Sequence, residues 1–210
     1  MVDHIFAGFD TGSITLMFLA WQVSKPENSD WQQQLCCEVA RLDTLDSRTL
    51  DKQPVLHAVI MESLRLHAPV GGNQVRISPS NRTVLLQHPD NISTEIPPGT
   101  RIHAQAWSLH RNPAVFPEPD SWNPDRWLSS SSSQILEMNR WFWAFGSGSR
   151  MCAGTNLAMI EQKSVTAAVW RAYKTELVDG EAMVQNMGFI GGPLGKDGIY
   201  LTVRLTVVEV

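Results

Sequence analysis

The 210-residue chain is 43% hydrophobic and 18% charged, enough apolar material for a sizeable core and outside the profile of disorder. Its 17 Lys and Arg against 21 Asp and Glu give a net charge of -4, without the basic excess that a nucleic-acid binder uses. The apolar run over 14–21 falls well short of the roughly 18 residues of a membrane-spanning helix, and Met1-Val2-Asp3-His4 lacks the basic start of a secretory signal. Cys36, Cys37 and Cys152 make neither a disulfide framework nor a zinc spacing, which points to a reducing compartment.

In chain order, residues 1–23 carry no proline and break at Lys25-Pro26, which predicts one long helix ended by the restriction on the residue before proline. Asn28-Ser29-Asp30 offers capping side chains for a second helix over 31–42, where Leu35, Val39 and Leu42 recur at helical spacing. A third helix is predicted over 51–66, with Pro54 near its start and Val55, Val59, Leu64 and Leu66 on an apolar face. From 69 to 104, Gly71-Gly72, Pro79 and Pro97-Pro98-Gly99 punctuate short runs such as 82–86, a pattern of strands and turns. Four prolines with Phe116, Trp122 and Trp127 make 111–127 an irregular packed segment. The serines over 129–133 read as a flexible surface loop without function. A helix over 154–173 and an alternating strand through Ile199, Leu201, Val203 and Leu205 close the chain. The class is mainly α with small β-sheets (α+β), with no internal repeat.

Chemistry concentrates in Phe145-Gly146-Ser147-Gly148-Ser149-Arg150-Met151-Cys152-Ala153-Gly154. A thiolate there would lie near backbone amides and a fixed cation, which lower a thiol pKa, and the glycines would let backbone approach a flat ligand. The loop suits a metal-bound sulfur. The alternatives are a buried cysteine acting as a small hydrophobe and a phosphate cradle, whose terminal Lys-Ser/Thr is absent.

The segment resembles the heme-binding loop of the cytochromes P-450, F-x-x-G-x-R-x-C-x-G, matched at Phe145, Gly148, Arg150, Cys152 and Gly154. Average residue usage puts the chance of that match in one chain on the order of 10⁻⁵ to 10⁻⁴. Three further segments resemble family motifs in the family's order. Glu62-Ser63-Leu64-Arg65 fits E-x-x-R, a spacing that puts both side chains on one helix face. Asn123-Pro124-Asp125-Arg126-Trp127 is similar to P-E-R-F, with Asp for Glu and Trp for Phe. Ala7-Gly8-Phe9-Asp10-Thr11 matches A-G-x-D/E-T of the long helix crossing the distal heme face, with Gly12 where many members carry a second Thr or Ser.

The resemblance implies a heme-thiolate monooxygenase that inserts one oxygen atom of dioxygen into an organic small molecule, in secondary or xenobiotic metabolism. It implies heme b (iron protoporphyrin IX) with Cys152 as axial iron ligand. Arg150 and Arg76 are implied at the propionates, and Gly146, Ala7 and Gly8 beside the cofactor. Thr11 and Asp10 would deliver protons where the helix opens locally at Gly8. Glu62, Arg65 and Arg126 would form a buried scaffold. His67, His103 and His110 read as surface or hydrogen-bonding histidines. Residues 69–74 and 189–192 are candidate pocket wall. NADPH would act indirectly, through a flavoprotein reductase to which Lys163, Arg171 and Arg140 offer a docking face or else ordinary solvated charge.

The resemblance is to a eukaryotic, fungal-type member, and it covers the part of the family's domain from the long distal helix to the C-terminus. Residues 1–210 are therefore expected to be one partial domain lacking the N-terminal half, with exposed apolar surface and poor stability alone. The full-length protein is expected on the cytosolic face of the endoplasmic reticulum membrane, with membrane contact only through the missing part. A heme-thiolate isomerase or dehydratase, an inactive fragment and an interaction module are the competing readings.

Overall fold

The computed structural model describes residues 2–87, 92–178, 183–186, 190–195 and 201–208. Helix α1 (Val2–Ser24) runs unbroken and stops where Lys25 turns extended before Pro26. A 3₁₀ turn, Pro26–Asn28, leads into α2 (Ser29–Ala40). Asn28 stands at the cap position of α2, but its side chain makes no cap bond. It donates instead to the Gln22 carbonyl at 2.7 Å, tying the turn back onto α1.

The third predicted helix starts at Pro54 rather than at 51, and a short helix precedes it. Residues Ser47–Leu50 form a short α3, capped by Asp46, which accepts from the Arg48 and Thr49 amides. Helix α4 (Pro54–Leu66) begins at the proline, where a missing N–H costs nothing. The Glu38 carboxylate of α2 accepts the Val55 and Leu56 amides at 2.9 and 2.8 Å, placing a negative charge on the N-terminus of α4.

Strand β1 (Asn73–Ile77) follows and pairs antiparallel with β4 (Arg101–Gln105), with Val75 opposite His103. Between them, β2 (Val84–Gln87) pairs with β3 (Ser93–Ile96). A short α5 (Ala106–Leu109) opens the irregular proline-rich segment, which ends in α6 (Arg126–Ser129). The serine run is not a loop. Ser131 caps α7 (Ser132–Trp141) in a reciprocal box with Gln134, because serine hydroxyls satisfy the free amides of a helix start.

Helix α8 (Thr155–Ala172) is followed by β5 (Tyr173–Leu177), so Tyr173 is strand, not helix. Gln32 draws the chain out at this point, accepting from Thr175 N and donating to Thr175 O, both at 2.9 Å. Strand β6 (Val184–Gln185) pairs with β7 (Pro193–Leu194), and β8 (Val203–Val207) pairs with β5. The predicted closing strand is realised at Val203 and Leu205; Ile199 lies outside the described residues.

The core lies where α1, α2, α4 and α8 meet, around Leu19, Val23, Leu35, Val39, Val59, Ile60 and Trp170. The resulting packing fixes α8, and with it the loop entering it, against α1. Apolar side chains remain exposed on α1 at Ile5, Phe6 and Phe9 and on α8 at Leu157.

Among the described residues, four buried side-chain polar atoms lack a hydrogen-bond partner, Arg126 Nη2, Gln162 Oε1, Trp170 Nε1 and the Thr166 hydroxyl on the inner face of α8, and of these residues Thr166 has no exposed surface at all. Such a group destabilises by about 1–3 kcal/mol. Thr166→Val keeps the shape and removes the hydroxyl, so its thermal midpoint should exceed that of the parent chain by about 2–4 °C per kcal/mol recovered; a lower midpoint in a calorimetric scan would contradict this.

Candidate functional site

The cysteine loop is held by its own backbone. The Gly146 amide donates to Trp143 O at 2.9 Å, Cys152 N donates to Phe145 O at 2.8 Å and Met151 N donates to Gly148 O at 3.1 Å. A 3₁₀ turn, Gly148–Arg150, lies between, and Gly154 stands at the cap of α8. Gly146 and Gly148 have φ of 70° and 66°, the left-handed region that disfavours side chains. A Cβ on Gly146 would also sit 2.9 Å from Gln74 Oε1, a contact the flexible end of that side chain could relieve, so the positive φ is the stronger requirement for glycine at 146.

The loop leaves Cys152 exposed, which removes the reading of a buried hydrophobic cysteine. Cys152 borders a cavity of about 570 Å³, together with Phe145, Gly146 and Arg150 of the loop. Thr11, Gly12 and Thr15 of α1 border the same cavity, as do Gln74 and Arg76 of β1. Arg76 donates to the Ser147 carbonyl at 3.1 Å, clasping the loop from the sheet. Of the candidate pocket wall, Pro69, Val70, Asn73 and Gln74 line the cavity. Residue 189 is outside the described residues, and Gly191 instead donates to Pro69 O at 2.7 Å.

Ala7, Gly8, Asp10, Gly148 and Gly154 are not among the cavity-lining residues. The helix does not open at Gly8: Thr11 Oγ1 donates to Ala7 O at 2.7 Å, the usual back-bond of a helical threonine, and α1 stays helical through it. A Cβ on Gly8 would meet nothing within 4 Å, so packing does not require glycine there.

The E-x-x-R segment and the arginine after Pro124 do meet. Glu62 and Arg65 are fully buried and Arg126 nearly so. Glu62 Oε1 accepts from Arg65 Nη2, Arg126 Nε and Asn123 N at 2.8, 3.0 and 2.9 Å. Its Oε2 accepts from Arg65 Nε and Trp127 Nε1 at 2.9 and 3.0 Å. Arg65 spends its remaining donors on the carbonyls of His110, Pro119 and Ser121, so all five of its N–H groups are used.

Sequence reasoning missed Trp127 as a donor to Glu62, although a Trp standing for Phe in the motif carries an added N–H. It also missed Gln162, which borders the cavity and ties α8 to α1 through Nε2 to Gly12 O at 3.1 Å. Lys163 is not part of a docking face: it is buried and paired with Asp51 at 2.7 Å. Arg140 is exposed beside Glu137 and Arg171 is half-buried. His103 is exposed on β4, while His67 is buried, stacked on Phe18 and bonded to Gln22.

The family model for cytochrome P-450 matches residues 1–202. The chain belongs to the cytochrome P-450 family. It is 35% identical over 199 residues to the cytochrome P-450 monooxygenase tazI of Aspergillus terreus, covering 91% of this chain and 38% of that protein. It is 36% identical over 170 residues to the monooxygenase stcB of Emericella nidulans, covering 80% and 31%. A third relative, the monooxygenase aflV of Aspergillus parasiticus, is 34% identical over 196 residues, covering 90% and 36%. The chain spans about a third of the length of the curated relatives it matches. No helix among the described residues is long and apolar enough to cross a membrane.

Two tests follow from the buried groups. Glu62→Gln leaves two buried guanidinium groups facing a neutral amide, and should destabilise the chain by about 3–5 kcal/mol, read as a fall in the denaturant midpoint. Burial is the largest cause holding both His67 and His110 at a pKa of about 3, so each stays neutral when folded and binds a proton on unfolding below about 6.5. Their stabilisation is complete above that pH and is lost as pH falls toward 3, by up to about 1.4 kcal/mol per unit for each. Unfolding midpoints measured from pH 7 to 4 should fall accordingly, and a flat profile would contradict the burial argument.

Proposed function

We propose that this chain is the heme-binding part of a monooxygenase that inserts one oxygen atom of dioxygen into a small organic molecule, in secondary or xenobiotic metabolism. The observation that carries the reading is the shared cavity, bordered by the exposed Cys152 thiol on the loop side and by Thr11 on α1.

The residues present fit a heme. No three His, Cys, Asp or Glu side chains cluster as a metal cage among the described residues. The cavity wall is apolar at Leu64, Val70, Val75, Phe145 and Ala158 and cationic at Arg76 and Arg150, matching a flat apolar ring with anionic side groups. When bound, heme supplies the electron-transfer and oxygen chemistry, and a thiolate ligand favours cleavage of the oxygen–oxygen bond.

The chain's own residues orient, hold and protonate. Cys152 presents its sulfur from a loop closed by the Phe145 carbonyl and gripped by Arg76 at Ser147. Arg76 and Arg150 neutralise the propionates. Phe145, Gly146, Gly148 and Gly154 shape the loop face, and Ala7 and Gly8 belong to the distal face. The Thr11 hydroxyl, by turning from Ala7 O, hands a proton toward the cavity, with Asp10 as the carboxylate that replenishes it. The network of Glu62, Arg65 and Arg126 is scaffold. The names of the fungal relatives support the class of reaction. An NADPH-dependent flavoprotein reductase is the electron donor, and the whole protein works on the cytosolic face of the endoplasmic reticulum membrane.

The chain should be produced with heme and its reduced, carbon monoxide-bound spectrum recorded beside Cys152→Ser. A red-shifted thiolate Soret band that the variant loses is expected, and the same spectrum from both would overturn the assignment of Cys152. In the whole protein with reductase, turnover should require dioxygen and NADPH, whereas an isomerase or dehydratase would need neither. Thr11→Val should keep the spectrum and lower product formation by about 10²-fold.

A further inference from the structure

His110 is fully buried and is absent from the motifs that resemble the family's. Its Nδ1 lies 2.7 Å from the Arg65 carbonyl oxygen, which can only accept, so Nδ1 carries the proton. Its Nε2 lies 2.7 Å from the Trp143 amide nitrogen, which can only donate, so Nε2 is bare. One neutral tautomer satisfies both ends, and neither the other tautomer nor the cation does. The tie is reciprocal, since Arg65 Nη1 donates to the His110 carbonyl at 2.8 Å. The ring is also fixed in plane by stacking on Phe142, with centroids 5.2 Å apart and 14° between planes.

On one side of this imidazole stands the carboxylate–guanidinium network of Glu62 and Arg65. On the other, Trp143 is the residue whose carbonyl accepts Gly146 N, two residues before Phe145 closes onto Cys152 N. We infer that His110 is a positioning residue, which transmits the fixed geometry of the Glu62–Arg65–Arg126 network to the cysteine loop through a single Nδ1-protonated imidazole. This inference rests on Cys152 being the functional sulfur of the proposed heme site. Without the Nε2 acceptor, the Trp143 amide is left unpaired in a part-buried position, and the start of the loop loses its only side-chain anchor to α4 among the described bonds.

Two substitutions separate the two ends of the ring. Asn places its amide where Nδ1 was, so His110→Asn keeps a donor for Arg65 O and loses the acceptor for Trp143. Gln reaches one atom further, so His110→Gln keeps an acceptor for Trp143 and loses the donor to Arg65 O. Hydrogen exchange of the peptide spanning 142–153, measured without heme, should accelerate about tenfold or more in His110→Asn. In His110→Gln it should stay within about twofold of the parent. The heme-loaded chain should follow the same order, with the thiolate Soret fraction falling several-fold in His110→Asn and kept in His110→Gln.

Equal losses in both variants, or no change in either, would overturn the positioning role. If the Asn variant does not fold, long-range nitrogen–proton correlation on the parent's His110 ring decides: protonation at Nδ1 is expected, and protonation at Nε2 would refute the assignment. A parent chain without a thiolate band but with the expected exchange pattern would sink the heme reading while leaving His110 as the anchor of the loop.

Discussion

A buried carboxylate with five donors is the constraint on which the rest of this structure depends. Glu62 takes bonds from Arg65, Arg126, Asn123 and Trp127, and those partners come from α4 and from the irregular segment that ends at α6. A charge removed from water costs several kcal/mol unless its lone pairs are filled, so the proline-rich stretch has to adopt the one path that brings its amide, indole and guanidinium to the same point. That requirement explains how a segment without regular structure can be fixed. Arg65 extends the constraint outward by spending its other N–H groups on backbone carbonyls at 110, 119 and 121. The irregular segment is thereby read by a side chain as a helix would be read by its own ladder.

From this point the geometry passes to the cavity by two routes. One runs through His110 to Trp143 and the loop. The other runs through the core, where Trp170 and Ala167 of α8 pack among residues of α1, α2 and α4. Helix α8 begins three residues after Cys152, so the loop is pinned at its start by polar contacts and at its end by apolar ones. Arg76 adds a third hold from β1. Three independent elements therefore bear on one short loop, which is what presenting a sulfur at a set position requires.

Much of this was readable in the sequence because the signals were local. Pro54 and Lys25-Pro26 marked helix ends, the loop glycines 146, 148 and 154 marked close backbone approach, although only 146 and 148 of them take positive φ, and the spacing of Glu62 and Arg65 marked a shared face. What escaped was non-local or ambiguous in chemistry. The serine run has the composition of a linker, yet one hydroxyl at 131 and one amide at 134 convert it into a helix start. Lys163 reads as surface charge, but Asp51 lies over a hundred residues away in sequence and turns it inward. His110 and Gln162 belong to no motif, and their value lies in which backbone atoms from distant segments stand beside them.

On α1, helix continuity and the proton delivery proposed for Thr11 are in tension. The hydroxyl of Thr11 is satisfied by Ala7 O, so releasing it toward the cavity exchanges an internal bond for one to a ligand or water, a nearly balanced trade. The flanking residues put no side chain of their own in the way of that exchange. Gly8 meets no neighbour and Gly12 has only an ordinary contact with Gln162 Nε2, so the backbone on both sides can shift without driving a side chain into the core. Gln162 limits how far, because its bond to Gly12 O holds the turn after Thr11 to α8. For the proposed proton delivery the hydroxyl would have to turn within a continuous helix, and the tether that holds the following turn comes from the helix that begins at the cysteine loop.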